Sequence, residues 1–109
     1  MKRPIKQEIY APADVRISKR LGGGVLKEHV VREMPSKSVV RYALAYINPK
    51  IFTGDNGRVL GYDNSHDHSH RHFFGTVTPH NFETYEALYA QFEREWQDIA
   101  IKFVNGDPI

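Results

Sequence analysis

From Phe82 to Phe103 the chain repeats large apolar side chains at a helical interval. Phe82, Tyr85, Leu88, Tyr89, Phe92, Trp96, Ile99 and Phe103 recur with the 3.6-residue period that puts them on one side of an α-helix. Glu83, Glu86, Glu93, Glu95 and Asp98 read as the opposite, solvated face. Thr78 or Asn81 is expected to cap the start, with Pro79 in the first turn. Asn105-Gly106 followed by Pro108 is a stop signal. A stripe this aromatic is core packing rather than a cofactor box, and it needs another layer to cover it.

The rest of the chain supplies that layer as strands. Residues 38–48, SVVRYALAYIN, alternate Val40, Tyr42, Leu44 and Tyr46 with Val39, Arg41, Ala43, Ala45 and Ile47. Both sets are largely apolar, as in a central strand. Residues 13–19 read as a strand, then Gly22-Gly23-Gly24 as a hairpin break, then VLKEHVVREM (25–34) as its partner. VLKEHVVREM is ambiguous by itself, since Leu26, Val30 and Val31 also suit a helix face. Asp55-Asn56-Gly57 turns the chain into a short strand, RVLGY (58–62), and HFFGTV (72–77) reads as another. The expected fold is α+β: an antiparallel meander of four to five strands packed by one long C-terminal helix. Residues 1–12 read as a basic N-terminal arm and 13–109 as a single domain, a size that 109 residues with 40% apolar content support. No repeat, P-loop or dinucleotide-binding glycine motif interrupts this pattern.

Composition narrows the setting. There is no cysteine, so disulfides and thiolate metal sites are excluded, and a reducing compartment fits. The start, MKRPIKQEIY, lacks an apolar signal region, and no run approaches the roughly 18 apolar residues of a membrane span. A soluble, cytoplasmic protein is expected. Residues 1–50 carry 11 Lys/Arg against 4 Asp/Glu, or +7, while residues 51–109 carry 4 against 9, or −5. Such halves imply a face for a polyanion and a face for a basic partner, or simply two solvated surfaces.

The stretch GYDNSHDHSHRHFFG (61–75) concentrates the chemistry, with four of the six histidines. His70 and His72 open a strand and share one face, with Arg71 on the other unless a bulge redirects it. Two readings follow. In the first, His66, His68, His70 and His72 hold a divalent transition metal such as zinc or nickel, with Asp63 or Asp67 adding oxygen. The His-x-His spacing is that of cupin-like sites, but the usual downstream glutamate is absent. In the second, no cofactor is needed. Metal-free RNA cleavage requires a base, an acid and a cation at the phosphorane, and histidine and arginine supply these. Tyr62, Asp63, His70, Arg71 and His72 contain the parts, and Asp63 would orient an imidazole. His66 and His68 suit an ordinary polar turn equally well. His29 and His80 read as surface and helix-start residues, and Tyr42, Tyr46 and Trp96 as core.

The order GYDN, a histidine-bearing turn and then HRH resembles the TumE-like toxins of bacterial and archaeal toxin–antitoxin pairs. The resemblance spans roughly residues 13–103 and is specific at Tyr62-Asp63-Asn64 and His70-Arg71-His72. It implies a growth-inhibiting toxin acting on RNA as a ribonuclease. It also implies a cognate antitoxin encoded by a neighbouring gene and binding DNA. Functional weight falls on Tyr62, Asp63, Asn64, His70, Arg71 and His72. The run His66-Asp67-His68 is richer than the family pattern and keeps the metal reading open. The remaining alternative is an interaction module that inhibits by binding a cellular target.

Overall fold

A computed structural model describes residues 5–109. The alternation in residues 38–47 divides the molecule into two faces. Tyr42, Leu44 and Tyr46 are buried, while Arg41 and Ala43 are exposed and Ala45 is half-buried. Large apolar side chains therefore seek the helix, and the opposite face keeps a charged residue and small ones whose exposure costs little. That strand, β4 (Ser38–Ile47), follows β1 (Lys6–Tyr10), β2 (Val15–Arg16) and β3 (Val25–Met34). It precedes β5 (Arg58–Asp63), β6 (His70–Phe73), β7 (Thr76–Pro79) and the helix α1 (Tyr85–Asn105). The fold is α+β, as expected, with seven strands rather than four or five.

The order across the sheet is β1-β3-β4-β5-β6-β7, with β2 pairing beside β1 on β3. Every pairing is antiparallel, and β3 to β7 form a meander. β4 is central, as its pattern implied. The hairpin across the three glycines also forms, but β2 spans only two residues before a tight turn at Lys19–Leu21. Gly22 has φ +115, and a Cβ there would lie 2.8 Å from the Ala100 Cβ, so the turn packs directly under α1. Of the basic arm expected over residues 1–12, residues 1–4 lie outside the described residues. Lys6–Tyr10 pairs with Val30–Met34 as an edge strand.

Two local details differ from the expectations. HFFGTV is a hairpin rather than one strand: Phe74 (φ 48) and Gly75 (φ 80) form its two-residue turn. Both adopt the left-handed backbone that tight hairpins require, a conformation rare for phenylalanine. Phe74 is held there between Phe52 and Phe73, with ring centroids 5.5 and 4.7 Å away. The helix is capped by Thr84, whose side chain accepts from the Ala87 N–H, because Thr78 and Pro79 belong to β7. Its C-terminus ends at Gly106 in the left-handed conformation, as expected.

The core lies between α1 and the sheet. Tyr85, Leu88, Phe92, Ile99 and Ala100 meet Val30, Tyr42, Leu44, Tyr46, Leu60 and Tyr62. Phe82, just before the helix, stacks on Tyr42 at 4.9 Å. Among the described residues no helix is long and apolar enough to cross a membrane.

Candidate functional site

The pairing of β5 with β6 places the candidate residues. Its register runs without a shift: Asp63 opposite His70, Tyr62 opposite Arg71, Gly61 opposite His72. Directly opposed residues share a face and successive residues alternate. Asp63, His70 and His72 therefore lie on the open face, and Tyr62 and Arg71 on the face under α1. The six residues singled out by motif are divided by the sheet.

On the open face, Asp63 Oδ2 lies 2.7 Å from His72 Nε2. His72 Nδ1 lies 3.1 Å from an Arg58 guanidinium nitrogen. Arginine can only donate, so Nδ1 accepts and Nε2 carries the hydrogen that His72 donates to Asp63. Arg58 is in turn held by Asp55 at 2.8 Å and lies 3.9 Å from Asp63. It reaches His72 by lying over Gly61, where a Cβ would come within 2.8 Å of the Arg58 Cδ. Partial burial works to raise the Asp63 carboxyl. The Ser65 N–H and the His72 imidazole outweigh it and hold the group below its ordinary value of 3.8. His70 is half-buried beside this chain. Following the register inward, His70, Asp63, Ala43 and His29 form one row across four strands, and His72, Gly61, Ala45 and Lys27 the next. The floor is small residues; Lys27 and His29 border it from β3, and Arg41 precedes it along β4.

On the helix face, the Tyr62 hydroxyl is the centre of a polar cluster. It donates to Glu95 and accepts from Arg71 Nε and Gln91 Nε2, each at 3.0 Å. Arg71 also pairs with Glu95 and lies 4.7 Å over the Phe73 ring. The His80 ring packs edge-on against Tyr62 at 4.9 Å. Burial, and then the bond to Glu95, push the Tyr62 phenol up to about 12. It is thus a neutral donor at physiological pH and not a base. Burial likewise lowers His80, with Glu95 opposing and Arg71 adding to the shift. The pattern places Glu95 on the solvated face; the structure turns it to the sheet between Phe92 and Ile99.

Asn64 continues the β4–β5 ladder past the end of β5. Its Oδ1 accepts from the Tyr42 N–H at 2.9 Å and its Nδ2 donates to the Val40 carbonyl at 3.0 Å. Both ends of its amide are therefore engaged in strand pairing. His66 (φ 61) and Asp67 (φ 66) form the exposed turn, and His68 is exposed beyond them. The His68 and His70 rings are 6.3 Å apart. Among the described residues no three His, Asp or Glu side chains converge as a metal-holding group.

Sequence reasoning missed Arg58, Glu95 and Gln91. A signal existed for Glu95, which sits three residues after Phe92 and four before Ile99, within the apolar stripe. Gly61 between Arg58 and Asp63 was the only local hint of the other.

A family model described as Toxin TumE matches residues 4–100. No curated protein and no solved structure matches the chain.

Proposed function

The chain belongs to the TumE toxin family, and from that membership we propose that it acts on RNA, cleaving it by paired acid–base chemistry on the open sheet face. The observation that carries this reading is the chain Asp63–His72–Arg58 with His70 directly opposite Asp63. Asp63 holds the Nε2–H of His72, leaving Nδ1 as the basic atom. Arg58 occupies that atom at rest. A phosphodiester is a stronger partner for a guanidinium than a neutral imidazole is. Its arrival draws Arg58 away and frees Nδ1 beside the substrate. His72 then takes the proton of the 2′-hydroxyl, and the 2′-oxygen bonds to phosphorus. Protonated His70 gives its proton to the departing 5′-oxygen as the P–O5′ bond breaks. Arg58 steadies the charge on the phosphorane. The products are a 2′,3′-cyclic phosphate and a free 5′-hydroxyl. Tyr62, Arg71 and Asn64 support this face from behind and at its end.

The partner that the family implies is an antitoxin; in this reading it is the DNA-binding product of a neighbouring gene. The test is single-turnover cleavage of RNA in EDTA, with product ends identified by mass. The wild type should leave cyclic phosphates. His70→Ala, His72→Ala and Asp63→Asn should each slow cleavage about 10²–10⁴-fold. The double substitution should cost less than the product of the singles. Absence of cleavage by the wild type, or full activity in the folded double variant, would sink the proposal. Activity lost in EDTA and restored by zinc or nickel would instead assign the metal role to the histidine turn.

A further inference from the structure

A second concave site shares no lining residue with the Asp63 cluster and lies where the glycine hairpin, the end of β4 and the last turns of α1 meet. It is a groove of about 690 Å³. Ile17, Val25, Ile47, Pro49 and Phe103 supply its apolar lining, and Arg16, Lys19 and Lys50 its charge. The three cations are exposed, and among the described residues none is paired with a carboxylate. No acidic residue is among the described residues that line the groove. Leu21, in the adjoining turn, is 59% exposed and extends the apolar surface.

We infer that this groove seats an acidic segment of a protein partner, anchored by bulky apolar side chains. The charge is one-sided, so the occupant is anionic. The lining is aliphatic: Phe103 is the single aromatic ring among its described residues. RNA without sequence-specific contacts binds by stacking bases on successive rings along a cationic track, and this groove offers one ring. Alternating Glu or Asp with Leu or Phe satisfies both features, the apolar side chains filling the floor and the carboxylates meeting the rim. The inference rests on membership in a family that implies an antitoxin, and not on RNA cleavage at Asp63.

The experiment uses the full-length chain labelled with ¹⁵N and three fluorescein-labelled probes. These are a synthetic peptide alternating Glu with Leu and Phe, the same peptide with Lys for Glu, and oligouridine. The acidic peptide should shift the amides of Gly22–Val25 and of Ile47, Asn48 and Lys50. Lys19→Glu with Lys50→Glu, both at exposed positions, should weaken it about tenfold or more, as loss of charge complementarity does. Pro49→Asp should weaken it through the floor. The His70→Ala, His72→Ala double variant should bind it like the wild type, which separates this site from the catalytic one. Shifts confined to other amides, or none, overturn the inference. So does oligouridine binding to the same amides as tightly as the acidic peptide, which would assign the groove to RNA.

Discussion

At the scale of single residues, His72 is the best-held imidazole in the molecule, with both ring nitrogens engaged and its side chain 13% exposed. Arg58 is therefore the sharpest probe of the proposed chemistry. Lysine keeps the charge but loses the planar fork that bonds Asp55 and His72 together. A charge-assisted hydrogen bond contributes about 1.5–3 kcal/mol, so Arg58→Lys should slow RNA cleavage about ten- to hundredfold. Single-turnover kinetics with circular dichroism as the folding control would check it. Asp63 gives a separate, activity-free prediction. Its carboxyl is held below the ordinary value of 3.8 in the folded state, so the ionised form is favoured by folding. That stability is fully present above the ordinary carboxylate range and is lost as pH falls through 3.8 towards the folded value. Asp63→Asn should flatten the acid limb of the stability curve, measured by urea denaturation from pH 7 down to pH 3. An unchanged acid limb would mean that the Ser65 and His72 bonds do not hold in solution.

At the scale of elements, α1 is fastened to the sheet in two ways. The apolar stripe supplies most of the contact, and the Tyr62–Glu95–Arg71–Gln91 cluster fixes where the helix lies. Tyr62→Phe removes the oxygen all three partners share and leaves Arg71 and Gln91 only their bonds to Glu95. It should cost about 1–3 kcal/mol of stability while leaving the cleavage rate per folded molecule near wild type. Trp96 packs on Tyr46 with ring centroids 5.6 Å apart, but it is half-buried and its indole N–H is buried without a partner. Its truncation to Ala should therefore fall near or below the low end of the range for buried aromatics, about 3 kcal/mol. Trp96→Phe keeps the ring and removes the orphaned donor, so its cost should be smaller. Chemical denaturation of the two variants side by side decides the matter; a larger loss for Phe than for Ala would contradict this packing.

At the scale of the whole molecule, the sheet acts as a partition. One face packs the helix, and the other presents Asp63, His70, His72 and Arg58 beside a floor of small residues. This partition predicts two kinds of loss of toxicity. Upon induced expression without an antitoxin, the wild type should arrest growth. Open-face substitutions such as the His70→Ala, His72→Ala pair should relieve the arrest well beyond any share of folded protein they cost. Helix-face substitutions such as Glu95→Ala or Arg71→Ala should lower the melting temperature and relieve arrest only as far as folded protein is lost. Growth curves paired with thermal unfolding separate the classes. If Arg71→Ala abolishes toxicity at full stability, the chemistry lies under the helix instead.

The features legible in the sequence were those with a short period. The 3.6-residue stripe gave α1, and period-two alternation gave β4 and put His70 and His72 on one face with Arg71 on the other. The stop at Gly106 and the hairpin across the glycines followed from local backbone preference. What tertiary structure alone decided was which of these faces met. Alternation says that Tyr62 and Asp63 point oppositely, but not that the helix covers Tyr62. It cannot bring Arg58 to His72, 14 positions away, or Glu95 to Tyr62, 33 away. Those contacts depend on strand register and on where α1 crosses the sheet, which the burial of Tyr42, Tyr46 and Leu60 determines collectively. Phe74 shows the same principle locally: its left-handed backbone is disfavoured for the residue, and packing against Phe52 and Phe73 outweighs that preference.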